Sequence, residues 1–306
     1  MAEGIAAIGE CMLELSGQAG SSWRMGYAGD TFNTLWAMRA LSPGHHVDYV
    51  SAFGDDPFSQ AQIAFFRDHN IGTAQSPVIP GARPGLYAIT LTGAERSFTY
   101  WRSDAAARQL ASDPAKLEKS LENRALVYFS GITLAILSTQ ARLTLLNAIA
   151  AERAKGCHIA FDPNYRPRLW ADAAAARGVI AEALEVTDIA LPTFPDEEML
   201  YGDASPEDTA RRLERAGVAE IVVKNGDQPA LISHYEKLES VPATHIAAPL
   251  DTTGAGDSFN GAYLSARLLG IPPAEAVRRA HRVAGAVVQV RGALAPFDFL
   301  RTAFDR

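Results

Sequence analysis

The sequence predicts an α/β fold in three layers: a mostly parallel central sheet between two layers of helices, with a small β-sheet lid standing off it. Three observations predict it. Short apolar, β-branched runs alternate with longer helical patterns along most of the 306 residues, as in strands joined by crossover helices. One region breaks that rhythm, with strand patterns that follow one another and no helix between them. A composition of 48% hydrophobic and 21% charged residues belongs to a chain that buries a large core.

The elements follow in chain order. Ile5–Ile8 is a wholly apolar run, as expected of a strand covered on both faces. Cys11–Ser16 and Arg24–Tyr27 read as an extended pair, and Thr31–Leu41 as a helix. Val47–Phe53 is the next core strand and Phe58–His69 the helix after it. Leu86–Thr92 and Ser97–Arg102 read as two strands joined by the polar turn Gly93-Ala94-Glu95-Arg96. With the earlier pair they make a lid built from about residues 11–28 and 84–103. The alternation then resumes: strand Leu126–Ser130, helix Thr139–Lys155, strand His158–Phe161, helix Ala171–Leu184, strand Asp188–Leu191, helix Pro206–Ala216 and strand Ile221–Lys224. Near the end, Phe259, Ala262, Tyr263, Ala266 and Leu269 recur at helical spacing, Gly270 closes that helix, and Pro272 and Pro273 follow. One domain over residues 1–306 is expected, without linker or repeat.

Composition excludes some functions. A net charge of −7 with no basic stripe speaks against a nucleic-acid partner. The stretch from Met1 to Gly9 has no basic segment and no long apolar core, so neither a signal peptide nor a membrane span is expected. Cys11 and Cys157 are far apart and lack metal-ligand spacing. They read as small buried hydrophobes in a reducing cytoplasm. The open edges of a lid sheet are places where a second subunit would sit, so a homo-oligomer is expected.

The chemistry concentrates between Asp251 and Gly261. Gly254, Ala255 and Gly256 precede Asp257, and the helix begins there. Free amides and the dipole of a helix N-terminus attract anions, above all phosphate. No Gly-Lys pair occurs in the chain, so no P-loop competes for that role. The carboxylate of Asp257 repels an anion and needs another task, such as taking a proton from an attacking hydroxyl. At a helix N-terminus it is expected to be a weak base.

Asp251-Thr252-Thr253-Gly254-Ala255-Gly256-Asp257 resembles the Asp-Thr-x-Gly-Ala-Gly-Asp motif of the PfkB, or ribokinase-like, family of sugar kinases. The resemblance implies a ribokinase-like fold and ATP-dependent phosphorylation with Mg²⁺. It gives Asp257 the role of catalytic base, and the amides of Gly254, Ala255 and Gly256 that of an anion hole. Gly29-Asp30-Thr31-Phe32-Asn33 matches the family's sugar-framing motif in part, with Ala28 in place of its first glycine. Asp30 and Asn33 are expected to bind sugar hydroxyls. Lys224-Asn225-Gly226 matches the Lys-x-Gly turn that meets the nucleotide, and His281 falls where relatives place an asparagine beside adenine. Glu197 lies in the place of the Asn-x-x-Glu motif, with Phe194 at the asparagine position, and is expected to organise Mg²⁺ through water. Asp251 and the Thr253 carbonyl are the candidates for a monovalent cation, K⁺.

Two arginines bear on the choice of sugar. Tyr100 and Arg102 share one face at the end of a lid strand, and Arg166 follows a central strand within Asp162-Pro163-Asn164-Tyr165-Arg166. If both guanidiniums reach the site, they suit a carboxylate. The runs Gly9–Leu15, Pro84–Tyr87, Tyr100–Arg102 and Asn164–Trp170 are similar to the branch of the family that phosphorylates 2-keto-3-deoxygluconate. That likeness implies substrate contacts from Gly29, Tyr87, Tyr100, Arg102 and Arg166, and places Asn164 on the nucleotide side. A kinase of a neutral sugar such as fructose, tagatose or ribose, and a sensor without catalysis, remain the alternatives. A nicotinamide-dependent oxidoreductase is disfavoured, because no Gly-x-Gly-x-x-Gly follows a strand.

Overall fold

The computed structural model describes residues 4–17, 22–92 and 95–306. Its main sheet has eight strands in the order Lys237–Val241, Ala230–His234, Glu220–Val223, Ile189–Ala190, His158–Asp162, Arg124–Ser130, Gly4–Ile8 and His46–Val50. The six strands from Glu220–Val223 to His46–Val50 run parallel. The two beyond them form an antiparallel hairpin.

That hairpin is absent from the sequence expectation. Its turn places Tyr235 and Glu236 at φ of 50° and 60°. Both central residues of such a turn need positive φ, for which Asn-Gly is the usual signal, and Tyr-Glu does not announce it. The strand expected over Val47–Phe53 is also corrected. It leaves the main sheet after Val50, where the Ser51 hydroxyl donates to the Gly9 carbonyl at 2.7 Å. Phe53–Gly54 then pairs with Val78–Ile79 in a separate ribbon.

Side chains on the parallel strands alternate between two cores, as strand geometry requires. Ile5, Tyr128 and Ala160 face the helices Asp30–Leu41, Ala255–Leu268 and Pro273–Val287. Ile8, Val127 and Phe161 face Thr139–Ala154, Ala173–Leu184 and Pro206–Arg215. Several helix starts were readable as a polar cap before proline or alanine. Asp56 caps Pro57–Asp68, Ser205 caps Pro206–Arg215, and Asp172 accepts from the Ala175 amide at 2.7 Å. The last of these moves the expected start from Ala171 to Ala173. Cys11 and Cys157 are free and buried beside strands. Among the described residues no helix is long and apolar enough to cross a membrane.

The lid is a four-stranded sheet in the order Arg24–Ala28, Met12–Gly17, Leu86–Thr92 and Glu95–Trp101. Of the turn expected at its tip, Gly93 and Ala94 lie outside the described residues. Register pairs Tyr87 with Glu14 on one side and with Tyr100 on the other, so all three point to one face.

The helices Asp30–Leu41 and Ala255–Leu268 cross at contact distance. A Cβ on Gly261 would lie 2.5 Å from the Thr34 carbonyl and 2.7 Å from the Ala37 Cβ. Gly261→Ala is therefore expected to lower stability by about 1–3 kcal/mol through overpacking. It also pushes the N-terminal turns of both helices apart. A denaturant melt gives the first effect, and an unchanged midpoint speaks against the close crossing.

Candidate active site

The carboxyl ends of the parallel strands bring most of the predicted residues together, as expected for a sheet of this kind. Glu10 follows Gly4–Ile8, Asp162 ends His158–Asp162, and Lys224 follows Glu220–Val223. The N-termini of the two crossing helices point into the same place. Asn33, buried in the first turn of one, donates from Nδ2 to Asp257 Oδ2 in the first turn of the other at 2.8 Å. Asn33 Oδ1 accepts from the Gly29 amide at 3.3 Å. Asp257 Oδ1 is left with no partner among the described residues.

The turn before Asp257 has the form its sequence requires. Gly254 caps the helix at φ 75°, and a Cβ there would lie 2.7 Å from that of Ala293. Gly256 is exposed and faces open space. The Ala255 amide turns back to the Thr252 carbonyl at 3.3 Å. The amides of this turn without a carbonyl partner among the described residues are those of Gly254, Gly256 and Asp257. Asp251 braces this turn, accepting from the amides of Thr253 at 3.0 Å and Gly292 at 2.9 Å.

Asp257 is not the weak base that its helix position suggests. Burial, with the charge of Asp30 second, pushes its carboxyl up to about 7, against the Asn33 hydrogen bond. Burial also raises Asp30, whose Oδ2 accepts from Asn164 Nδ2 at 2.8 Å. Asn164 stands at φ 36°, and its amide donates to Asp162 Oδ1 at 3.0 Å. Beneath this layer Lys224 Nζ donates to Asp162 Oδ2 at 2.7 Å and to Asn260 Oδ1 at 2.9 Å. Asn260 Nδ2 also donates to Asp162 Oδ2 at 2.7 Å. The Lys224 ammonium is thus buried and held by these partners, and the turn position left facing outward is Gly226.

The lid residues are joined to one another and to the body. Tyr87 is buried, donates its hydroxyl to Glu14 and packs against Tyr100 with ring centroids 5.7 Å apart. Arg102 is ion-paired with Glu10. Arg166 Nη1 pairs with Asp196 Oδ2 at 2.9 Å and donates to the Tyr165 carbonyl. Both predicted arginines therefore already hold a protein carboxylate. A cavity of about 870 Å³ opens under the same lid face, between Glu14, Ser16 and Ile89 above and Asp251, Thr253 and Ala293 below.

Glu197 is fully buried rather than part of a solvated acidic face. Its Oε2 accepts from Arg212 Nη2 at 2.7 Å, while Oε1 is buried without a partner among the described residues. Burial, opposed by Arg212, pushes it up to about 7. His281 is also buried, edge-on to Phe259 at 5.1 Å, with Nε2 unpartnered. Burial lowers its pKa, so it is neutral at pH 7. Glu10, Asp162, Asn260 and Asp196 were given no role from sequence. For Glu10 and Asp162 the available signal was an acid placed directly after an apolar strand, where charge demands a partner.

A profile described as pfkB family carbohydrate kinase matches residues 2–299. The 2-dehydro-3-deoxygluconokinase of Escherichia coli (strain K12) is 42% identical over 304 residues, covering 97% of this chain and 98% of that one. The protein of the same name from Dickeya dadantii (strain 3937) is 41% identical over 302 residues, covering 96% and 97%. Among solved structures, a 2-dehydro-3-deoxygluconokinase from Thermotoga maritima superposes with a TM-score of 0.84 over 99% of this chain and 100% of that one, at 20% identity. This last likeness is one of fold.

A raised carboxyl pKa has a consequence for stability. The neutral form of Asp257 is favoured by the fold, so its contribution is complete below the ordinary value of 3.8 and is lost as pH rises through about 7. Asp257→Asn removes that loss. The variant is expected to melt above the wild type at pH 8 by more than it does at pH 5, measured by thermal denaturation at both values. A gap that stays constant or narrows contradicts the raised pKa.

Proposed function

The chain belongs to the PfkB family of carbohydrate kinases, and from that premise we propose that it acts as a single catalytic domain phosphorylating 2-keto-3-deoxygluconate, also called 2-dehydro-3-deoxygluconate. The terminal hydroxyl takes the γ-phosphoryl group of ATP, giving 2-keto-3-deoxy-6-phosphogluconate and ADP. The observation that carries this reading is Asp257. One carboxylate oxygen is fixed by Asn33, the other has no partner among the described residues, and the carboxylate stands in the first turn of a helix beside the exposed Gly256.

In the proposed reaction Asp257 Oδ1 accepts the proton of the attacking hydroxyl, and the oxygen forms its bond to the γ-phosphorus as the bond to ADP breaks. Transfer of this kind needs positioning and charge stabilisation more than a strong base. The amides of Gly256 and Asp257 and the helix dipole stabilise the equatorial oxygens. Gly254 and Ala255 set the turn that aims these amides. Gly29, Asp30 and Asn33 frame the sugar from the other helix, and Tyr87 and Tyr100 cover it from the lid. Arg102 and Arg166 hold the acid through donors that Glu10 and Asp196 leave unused.

On the nucleotide side Gly226 provides an open turn for the phosphates, Asn164 is assigned to the same side, and neutral His281 offers an unpartnered Nε2 to the base. Lys224 acts at one remove, by fixing Asp162. Mg²⁺ would be held on the Glu197 side of the site, through water, where Oε1 is buried without a partner among the described residues. When bound, it neutralises phosphate charge. A monovalent cation such as K⁺ is assigned to the turn braced by Asp251, with the Thr253 carbonyl. Buried free cysteines suit a reducing cytoplasm. The exposed Met25, Phe98 and Trp101 on the lid's edge strands suit a homo-oligomer.

A neutral-sugar kinase is the second reading, favoured by the carboxylate partners that Arg102 and Arg166 already have. ADP release measured with 2-keto-3-deoxygluconate, its galactonate epimer and fructose separates the two. The sugar acid is expected to give the highest kcat/KM, and preference for fructose overturns the proposal. Asp257→Asn is expected to lose nearly all turnover while still binding the sugar acid. Arg166→Ala is expected to raise its KM by roughly tenfold, the scale of one charged hydrogen bond.

A further inference from the structure

Glu10 has no part in the chemistry described so far, yet it lies in a place where an idle carboxylate is costly. It is 4% exposed, directly beyond the carboxyl end of the Gly4–Ile8 strand. Burial holds its carboxyl above the ordinary range, against the opposing pull of Arg102. Such a group is tolerated when it is paired and hydrogen-bonded. Its Oε2 accepts from Arg102 Nη2, and its Oε1 is buried with no partner among the described residues.

The pair spans two parts of the fold. Glu10 belongs to the main sheet, whereas Arg102 directly follows the Glu95–Trp101 strand of the lid. Gly85, also in the lid, makes room for them, since a Cβ there would collide with Glu10 Oε1 and come within 3.2 Å of the Arg102 Cβ. On the guanidinium, Nη2 is the nitrogen engaged. Nε is buried without a partner, and Nη1 makes no hydrogen bond among the described residues. Arg102 shares the lid face of Tyr100, whose cross-strand partner is Tyr87.

We infer that Glu10 is a positioning residue for the substrate's carboxylate: it anchors one nitrogen of the Arg102 guanidinium and so presents the remaining edge to the sugar acid. This rests on the reading of the substrate as a sugar acid. The physical reason is entropic. A free arginine loses much rotamer freedom on gripping a ligand, and one already held at one edge loses less. Glu10 would thus act on recognition of the acid rather than on phosphoryl transfer, which takes place at Asp257.

A double-mutant cycle tests this through the KM for 2-keto-3-deoxygluconate. Glu10→Ala is expected to raise that KM by about tenfold, with kcat and the KM for ATP within about twofold of wild type. Glu10→Gln keeps an acceptor oxygen on Nη2 and is expected to restore KM to within about threefold. In an Arg102→Ala background either change is expected to alter KM by less than about twofold, because the group through which Glu10 acts is gone. If Glu10→Ala does not fold, Glu10→Asp, which retracts the carboxylate by one methylene, is expected to give the same rise. Effects of Glu10 and Arg102 that simply add, or a rise shared equally by the KM for ATP, overturn the inference and assign Glu10 to the scaffold. If the wild type does not phosphorylate 2-keto-3-deoxygluconate at all, it is the substrate reading that fails.

Discussion

The ion pair between Asp162 and Lys224 is the contact on which the rest of the site depends. Both side chains are buried, and each alone would be an uncompensated charge in the interior. Together with Asn260 they join the ends of two central strands to the helix that begins at Ala255. The Asn164 amide uses the second oxygen of Asp162, which fixes the loop that leads to Arg166. Through Asn164 the same network reaches Asp30, and hence the helix that carries Asn33. Removing one member of a buried pair typically costs 3–5 kcal/mol, so this layer is a support whose loss would disturb every residue above it.

Above that layer the site solves a problem of like charges. Asp30, Asp162 and Asp257 lie close enough for the first two to raise the pKa of the third, and the proposed ligands are anions as well. The chain carries a net charge of −7. In the proposed reading, attraction at the phosphate end comes from backbone amides and a helix dipole, which need no counter-ion. Lys224 illustrates the alternative, since its ammonium is consumed by Asp162 and Asn260.

The sequence made the parallel strands legible because most of their residues are covered on both faces and read as apolar runs, as in Ile5–Ile8. The lid was legible because two strand patterns stood together without a helix between them. The Tyr235-Glu236 turn was not, because left-handed backbone at those residue types has no sequence signal. In the site, the Gly-Ala-Gly-Asp turn was readable from its order before a helical apolar pattern and from the motif it resembles. The raised pKa of Asp257 was not, because burial and the approach of Asp30 arise only when residues far apart in the chain meet. The same holds for the arginines: their type suggested a carboxylate ligand, but nothing nearby in sequence announced Glu10 or Asp196 as partners. Glu197 was set apart in the sequence by its motif position alone, and its burial, against the exposure of its neighbour Glu198, arises only on folding.

This arrangement separates two kinds of constraint. The transfer end is fixed by close backbone approach: Gly261 sets the helix crossing, Gly254 the turn, and Asn33 the orientation of Asp257. A substitution there must satisfy hard contacts on several sides, which leaves little freedom to vary. In the proposed reading the recognition end is carried by side chains on a thin lid sheet, Tyr87, Tyr100 and Arg102, each held by a partner outside the transfer layer. Exchanging such a side chain alters which molecule fits beneath the lid without moving a helix. Substrate choice can therefore change while the geometry around Asp257 stays put. That explains physically why the motif at Asp257 indicates a kinase and leaves the sugar to residues elsewhere in the chain.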